Sequence, residues 1–332
     1  MGRMVDGDWV SDDALLSGKA ARFERAETQF RNWVTPDGQA GASGGGGFPA
    51  QSGRYHLYVA HACPWAHRAL IFRALKGLED AISVDFVHPI MAQDGWTFDT
   101  DAPGATGDRL FGSRYLRDIY RRADAAFSGR VTVPVLWDKE RQTIVSNESA
   151  EIIRMLNSAF VGVAGNDLDF SPDGLRGEID AVNARIYHGL NNGVYRAGFA
   201  GTQAAHLEAA AEVFETLDWL ESRLSKQRYL VGDQATEADW RLAPTLFRFD
   251  AVYHVHFKCA AARVVDYPNL WAYARELYQW PGVAQTFDLA NTMSHYYGSH
   301  DTINPRKLVP MAPRADWLEP HGRGAAVRSP EI

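Results

Sequence analysis

A chain of 332 residues, 46% hydrophobic and 23% charged, is long enough for two domains with a real core and has the make-up of a globular protein. Its 34 basic and 41 acidic side chains leave a formal charge of −7, which disfavours nucleic acid as a partner. Two cysteines, Cys63 and Cys259, make no disulfide framework and fit a reducing cytoplasm.

The first residues, MGRMVDGDWVSDD, contain no apolar core of a signal peptide. No stretch approaches the ~20 apolar residues of a membrane span, and Asp6 stands where myristoylation wants Ser or Thr. Residues 1–54 show little periodicity and include a Gly/Pro/Ser-rich run from Thr35 to Gly47. No strand precedes that run and no Lys-Ser/Thr follows it, so it reads as an irregular arm rather than a phosphate loop.

At Tyr55–Lys76 the pattern sharpens. A strand-like run, Leu57–Ala60, is followed by a His-Ala break, Cys63, Pro64 and then helical spacing of Ala66, Leu70, Phe72 and Leu75. Proline suits the first helical position, which puts Cys63 against the unpaired N–H groups and positive dipole end of a helix. Such a place favours the thiolate, the reactive form of cysteine. A buried structural cysteine is the bland alternative. A metal site of Cys63 with His61 and His67 is disfavoured because no second ligand pair is nearby.

Ile82–Val87 predicts a second strand, and residues 90–128 a long insertion ending in a helical stretch, Tyr115–Ala126. Val131–Trp137 predicts a strand with Pro134 at its entrance, which implies an edge, a bulge or a special turn such as a cis bond makes. Thr143–Val145 is a short partner strand, after which Ser146–Ser149 opens a helix over Ala150–Asn157 with Ser/Asn capping. The pattern lapses at about 160–175. Helical periods then cover Ile179–Val194, Leu207–Leu224, Trp240–Val255 and Leu270–Tyr278, the third opened by a capping box, Thr236 to Asp239. Prolines at 305, 310, 313, 320 and 330 predict an extended tail.

The order strand-Cys-Pro-helix, Val133-Pro134, Glu148-Ser149 at a helix start, then a helical region carrying Thr-x-x-Asp, resembles the glutathione transferase superfamily. The Cys63-Pro64-Trp65-Ala66-His67 string narrows this. So do Trp96, Arg130, Asn147-Glu148-Ser149, Asn192–Tyr195, His295–Tyr297 and Thr302–Pro305. With these, the chain is similar to the glutathionyl-hydroquinone reductases, the Xi-class transferases. The resemblance implies a thioredoxin-like N-terminal domain followed by an all-α glutathione-transferase C-terminal domain. The expected boundaries are an arm over 1–54, the glutathione-binding domain over 55–160 with its insertion at 90–128, the helical substrate domain over 175–300 and the tail over 301–332.

It also implies a homodimer that uses glutathione as co-substrate, which joins the cytoplasm read from the cysteines and the absence of a metal read from the ligand spacing. Ser149 at a helix N-terminus suits the γ-glutamyl carboxylate and Glu148 its ammonium, although ordinary capping explains both residues as well. The backbone of Val131 to Val133 would pair with the peptide like an added strand, and Pro134 matches the family's cis-proline. Arg130 would meet the glycyl carboxylate and Trp96 cover the ligand. Tyr195 and Tyr296 would bond the acceptor's hydroxyl groups, with His295 and Tyr297 beside them as further substrate contacts.

The second cysteine of a redox pair is missing, since Ala66 holds its place, so a Cys63–glutathione disulfide needs an external thiol, in the simplest case a second glutathione. Cys259 reads as a packed helix cysteine. The implied reaction converts glutathionyl-hydroquinones to hydroquinones. Three other readings stay open: a conjugating transferase, a glutaredoxin-like deglutathionylase, and a non-catalytic binder of aromatic ligands.

Overall fold

A computed structural model describes residues 2–11 and 22–324. The described residues form two compact units, one built on Arg25–Leu168 with Gln285–Val309 and the N-terminal hairpin, the other on Asp169–Ala284.

The first unit is organised by a four-stranded sheet of order β4-β3-β5-β6. Strand β3 (Tyr55–Val59) is buried along its whole length, as an inner strand covered on both faces must be. It pairs in parallel with β4 (Ile82–Phe86), and helix α1 (Pro64–Leu75) makes the crossover that a parallel pair needs. On its other side β3 runs antiparallel to β5 (Val135–Asp138), which pairs antiparallel with β6 (Thr143–Ser146). Helix α3 (Ser149–Ser158) packs on α1, and α2 (Leu116–Ala123) ends the 90–128 insertion.

Several elements differ from the sequence reading. The arm is not wholly irregular: β1 (Gly2–Val5) and β2 (Asp8–Ser11) form a hairpin, turned by Asp6 and Gly7, both at positive φ. The glycine-rich run lies over Trp33, where a Cβ at Gly41 would run into the indole. Residues Val131–Val133 stand outside β5, because the Val133–Pro134 bond is cis and the ladder begins only at Val135. The cap of α3 is Glu148 rather than Ser or Asn, its Oε1 accepting from Ala150 N–H at 3.1 Å. A further helix, α9 (Leu289–Ser299), opens on Asp288 and folds into this first unit, although the sequence reading put its residues in the 175–300 helical domain.

The second unit is helical: α4 (Arg176–Ile186), α5 (Gly193–Gly198), α6 (Gln203–Leu224), α7 (Glu237–Arg248) and α8 (Pro268–Tyr278). The stretch read as one helix over 179–194 is broken by a π-helical turn at Tyr187–Asn191, and α7 passes into another at Phe249–Tyr253. The Thr236–Asp239 capping box is present, and its carboxylate also accepts from Leu230 N–H (2.9 Å) and Tyr273 O–H (2.7 Å). Residues 310–324 run extended over this unit, with Trp317 seated against Trp271, Tyr278 and Phe247.

Candidate active site

Topology gathers the loops of the first unit. Strands β3, β4 and β6 finish, and β5 starts, at one end of the sheet, as Tyr58 pairs with Val135 and Leu136 with Ser146. Cys63, the insertion after Phe86, the Val131–Pro134 segment and Glu148-Ser149 all leave the sheet at that end. Pro134 and Ser149 are buried, Cys63, Val131 and Glu148 half-buried, and Arg130 exposed.

Cys63 is the N-cap of α1. Its Sγ accepts from Ala66 N–H at 3.5 Å, and as a thiol it donates to the Val133 carbonyl at 3.4 Å. A helix N-terminus offering N–H groups to sulfur stabilises negative charge there. Beside it, the guanidinium groups of Arg25 and Arg68 lie over the Trp65 ring, at 4.8 and 4.5 Å from its centre. The nearby histidines serve packing: His61 stacks on Phe86 at 4.0 Å, and His67 Nε2 lies 2.7 Å from Thr286 Oγ1. Among the described residues no three His, Cys, Asp or Glu side chains are grouped to hold a metal ion.

Glu148 keeps one carboxylate oxygen on Ala150 N–H and accepts from the Thr28 hydroxyl with the other, at 3.1 Å. Thr28 carried no signal in the sequence, since it belongs to an arm without periodicity. Trp96 stacks on His295 with centroids 4.9 Å apart. His295 Nδ1 is 2.7 Å from the Pro89 carbonyl, which can only accept, so that nitrogen carries the proton. Tyr296 and Tyr297 follow on the same helix and are buried, and burial pushes the Tyr297 hydroxyl up to about 12. Tyr195 lies in the second unit, half-buried among the rings of Phe23, Phe199, Tyr253 and Phe257.

The N-terminal domain model of the glutathione S-transferases matches residues 62–159 and the C-terminal domain model residues 199–276. Glutathionyl-hydroquinone reductase YqjG of Escherichia coli is 52% identical over 97% of this chain and 98% of its own length. Glutathionyl-hydroquinone reductase PcpF of Sphingobium chlorophenolicum is 50% identical, over 94% of this chain and 96% of its own. The chain belongs to the glutathionyl-hydroquinone reductases, the Xi class of the glutathione transferases. Solved structures agree. The glutathione-bound structure of YqjG superposes with a TM-score of 0.90, at 52% identity over 97% of this chain and 99% of that one. The Xi-class transferase of Natrialba magadii gives 0.89, at 46% identity over 97% of this chain and 96% of that one.

The expected fold, a thioredoxin-like domain followed by an all-α transferase domain, is therefore that of the reductase family. Cys259 differs from its expected setting. It lies in irregular chain after the π-helical turn rather than on a helix, fully buried, and burial pushes its thiol up to about 12.

Proposed function

We propose that the protein reduces glutathionyl-hydroquinones with glutathione, through Cys63. The Cys63 thiolate attacks the sulfur of the glutathionyl group, forming Cys63–S–SG. The bonding pair of the cleaved carbon–sulfur bond passes to the ring carbon, which takes a proton to give the free hydroquinone. A second glutathione thiolate attacks the mixed disulfide, releasing oxidised glutathione and regenerating the Cys63 thiolate. The ring is thereby reduced by two electrons and two glutathionyl sulfurs are oxidised.

The observation that carries this reading is the setting of Cys63: a single thiol capping a helix, beside the Val133 carbonyl, with Ala66 where a resolving cysteine would stand. Cys259 is buried, which supports resolution by an external thiol.

On the family resemblance we assign Trp96, Arg130, Val131, Val133, Pro134, Glu148 and Ser149 to glutathione. Tyr195 and Tyr296 are assigned to the hydroxyl groups of the aromatic acceptor, with His295 and Tyr297 as further contacts. We also place the protein in the cytoplasm as a homodimer. No helix of the described residues is long and apolar enough to cross a membrane.

Intact mass after incubation with a glutathionyl-hydroquinone, without added glutathione, tests the mechanism. The parent gains one glutathione and releases hydroquinone, and Cys63→Ala does neither. A parent that forms no adduct and releases no hydroquinone would sink the reading.

A further inference from the structure

One buried hydroxyl joins the two backbone segments assigned above to glutathione. Tyr120, on α2, is fully buried within the long insertion. Its O–H donates to the Thr132 carbonyl at 2.8 Å. Its oxygen accepts from Thr132 N–H at 3.2 Å and from Asn147 Nδ2 at 3.0 Å. A phenol has one proton to give and two lone pairs to fill, so these three bonds use its full capacity, and the Thr132 hydroxyl lies 3.4 Å away as a further neighbour.

The two partners lie in different parts of the chain, and each adjoins a proposed ligand contact. Thr132 sits between Val131 and Val133. Along an extended chain, neighbouring residues present their backbone N–H and C=O to opposite sides. Tyr120 takes both groups of Thr132, so those of its neighbours are turned the other way, and Val133 O does meet Cys63 Sγ, at 3.4 Å. Asn147 immediately precedes Glu148 and Ser149. Its backbone N–H donates to Phe30 O at 3.2 Å, and the Phe30 ring meets the Tyr120 ring edge-on. Thus the segment facing the cysteinyl part of the peptide and the segment facing its γ-glutamyl part are held by the same oxygen.

We infer that Tyr120 is a positioning residue for glutathione, setting the spacing between the Val131–Val133 backbone and the Glu148-Ser149 helix start so that one tripeptide spans both. It touches no reacting atom. The inference rests on the assignment of those two segments to glutathione.

The test is glutathione affinity by calorimetry in a Cys63→Ala background, where no disulfide forms. Adding Tyr120→Phe keeps the ring and removes all three bonds, and we expect the dissociation constant to rise about tenfold, the equivalent of ~1.4 kcal/mol. With Cys63 intact, Tyr120→Phe should keep the parent's alkylation rate at Cys63, and its kcat at saturating glutathione should stay within about twofold. Tyr55→Phe is the control. It also loses a buried hydroxyl bond, to Pro49 O at 2.7 Å, and a merely structural effect would lower affinity there too. If Tyr120→Phe does not fold, Asn147→Ala, which removes one of the three bonds, carries the test and should weaken binding at least about threefold.

A parent that binds no glutathione overturns the glutathione reading and this inference with it. A parent that binds, with unchanged affinity in a folded Tyr120→Phe or Asn147→Ala, overturns this inference alone. Equal weakening in Tyr55→Phe does the same.

Discussion

Cys63 and Cys259 show how place decides what a thiol can do. Cys63 is half-buried at a helix N-terminus with a backbone N–H on its sulfur. Cys259 is sealed in the helical unit, and desolvation disfavours its charged form, pushing the pKa up to about 12. A raised thiol pKa means the neutral form persists below that value, so at pH 8 roughly one Cys259 in ten thousand is a thiolate. Because only the thiolate is a good nucleophile, iodoacetamide at pH 8 should modify the native protein once, at Cys63. Peptide mapping reads this directly. Cys259 should be alkylated only in denaturant, and early native modification of Cys259 would contradict the burial argument.

At the scale of elements, local rules and tertiary packing share the outcome. The start of α7 is set locally by Thr236 and Asp239, and Asp239 also satisfies Leu230 N–H and the Tyr273 hydroxyl inside the core. Asp239→Ala strips buried donors of their acceptor, each worth ~1–3 kcal/mol when left unpaired. Urea denaturation followed by far-UV circular dichroism should show a loss of about 3 kcal/mol or more, and a loss under about 1 kcal/mol would mean the helix start is held by something else. That capping box was legible in the sequence, as were Cys63 at a helix start, the proline before β5 and the six-element order of the thioredoxin-like unit.

Helix α9 was not legible. Leu289–Ser299 is rich in Ser, Thr, Asn, His and Gly and is buried almost all round, so it has neither strong propensity nor a polar face to mark a period. The π-helical turns are equally silent, since they depend on neighbours such as Thr216, whose side chain leaves no room for a Cβ at Gly189. The N-terminal hairpin is different: Asp6-Gly7 between two four-residue segments, each with apolar positions, is a hairpin signal, and short length hid it. Tyr120 was one tyrosine among thirteen, and nothing in spacing reveals a hydroxyl that meets Thr132 and Asn147.

For the whole molecule, the two units make a division that ligand binding should expose. Every residue assigned to glutathione, from Trp96 to Ser149, belongs to the first unit, along with Cys63. A ligand that binds only the folded state stabilises it by RT ln(1 + [L]/Kd), about 2.7 kcal/mol at a hundredfold excess over Kd. Exchange of backbone amides that opens through unfolding of the first unit must slow accordingly, whereas local openings elsewhere need not. Hydrogen exchange of Cys63→Ala with saturating glutathione should therefore slow in residues 63–75, 131–138 and 147–158. The long helix at 203–224, which contributes none of these contacts, should exchange as it does without ligand. Protection confined to 203–224 would move the glutathione site out of the thioredoxin-like unit. Protection at 63–75 without any at 147–158 would keep the thiol end of the site and remove Glu148 and Ser149 from it, since a bound γ-glutamyl group on a helix N-terminus must hold that helix closed.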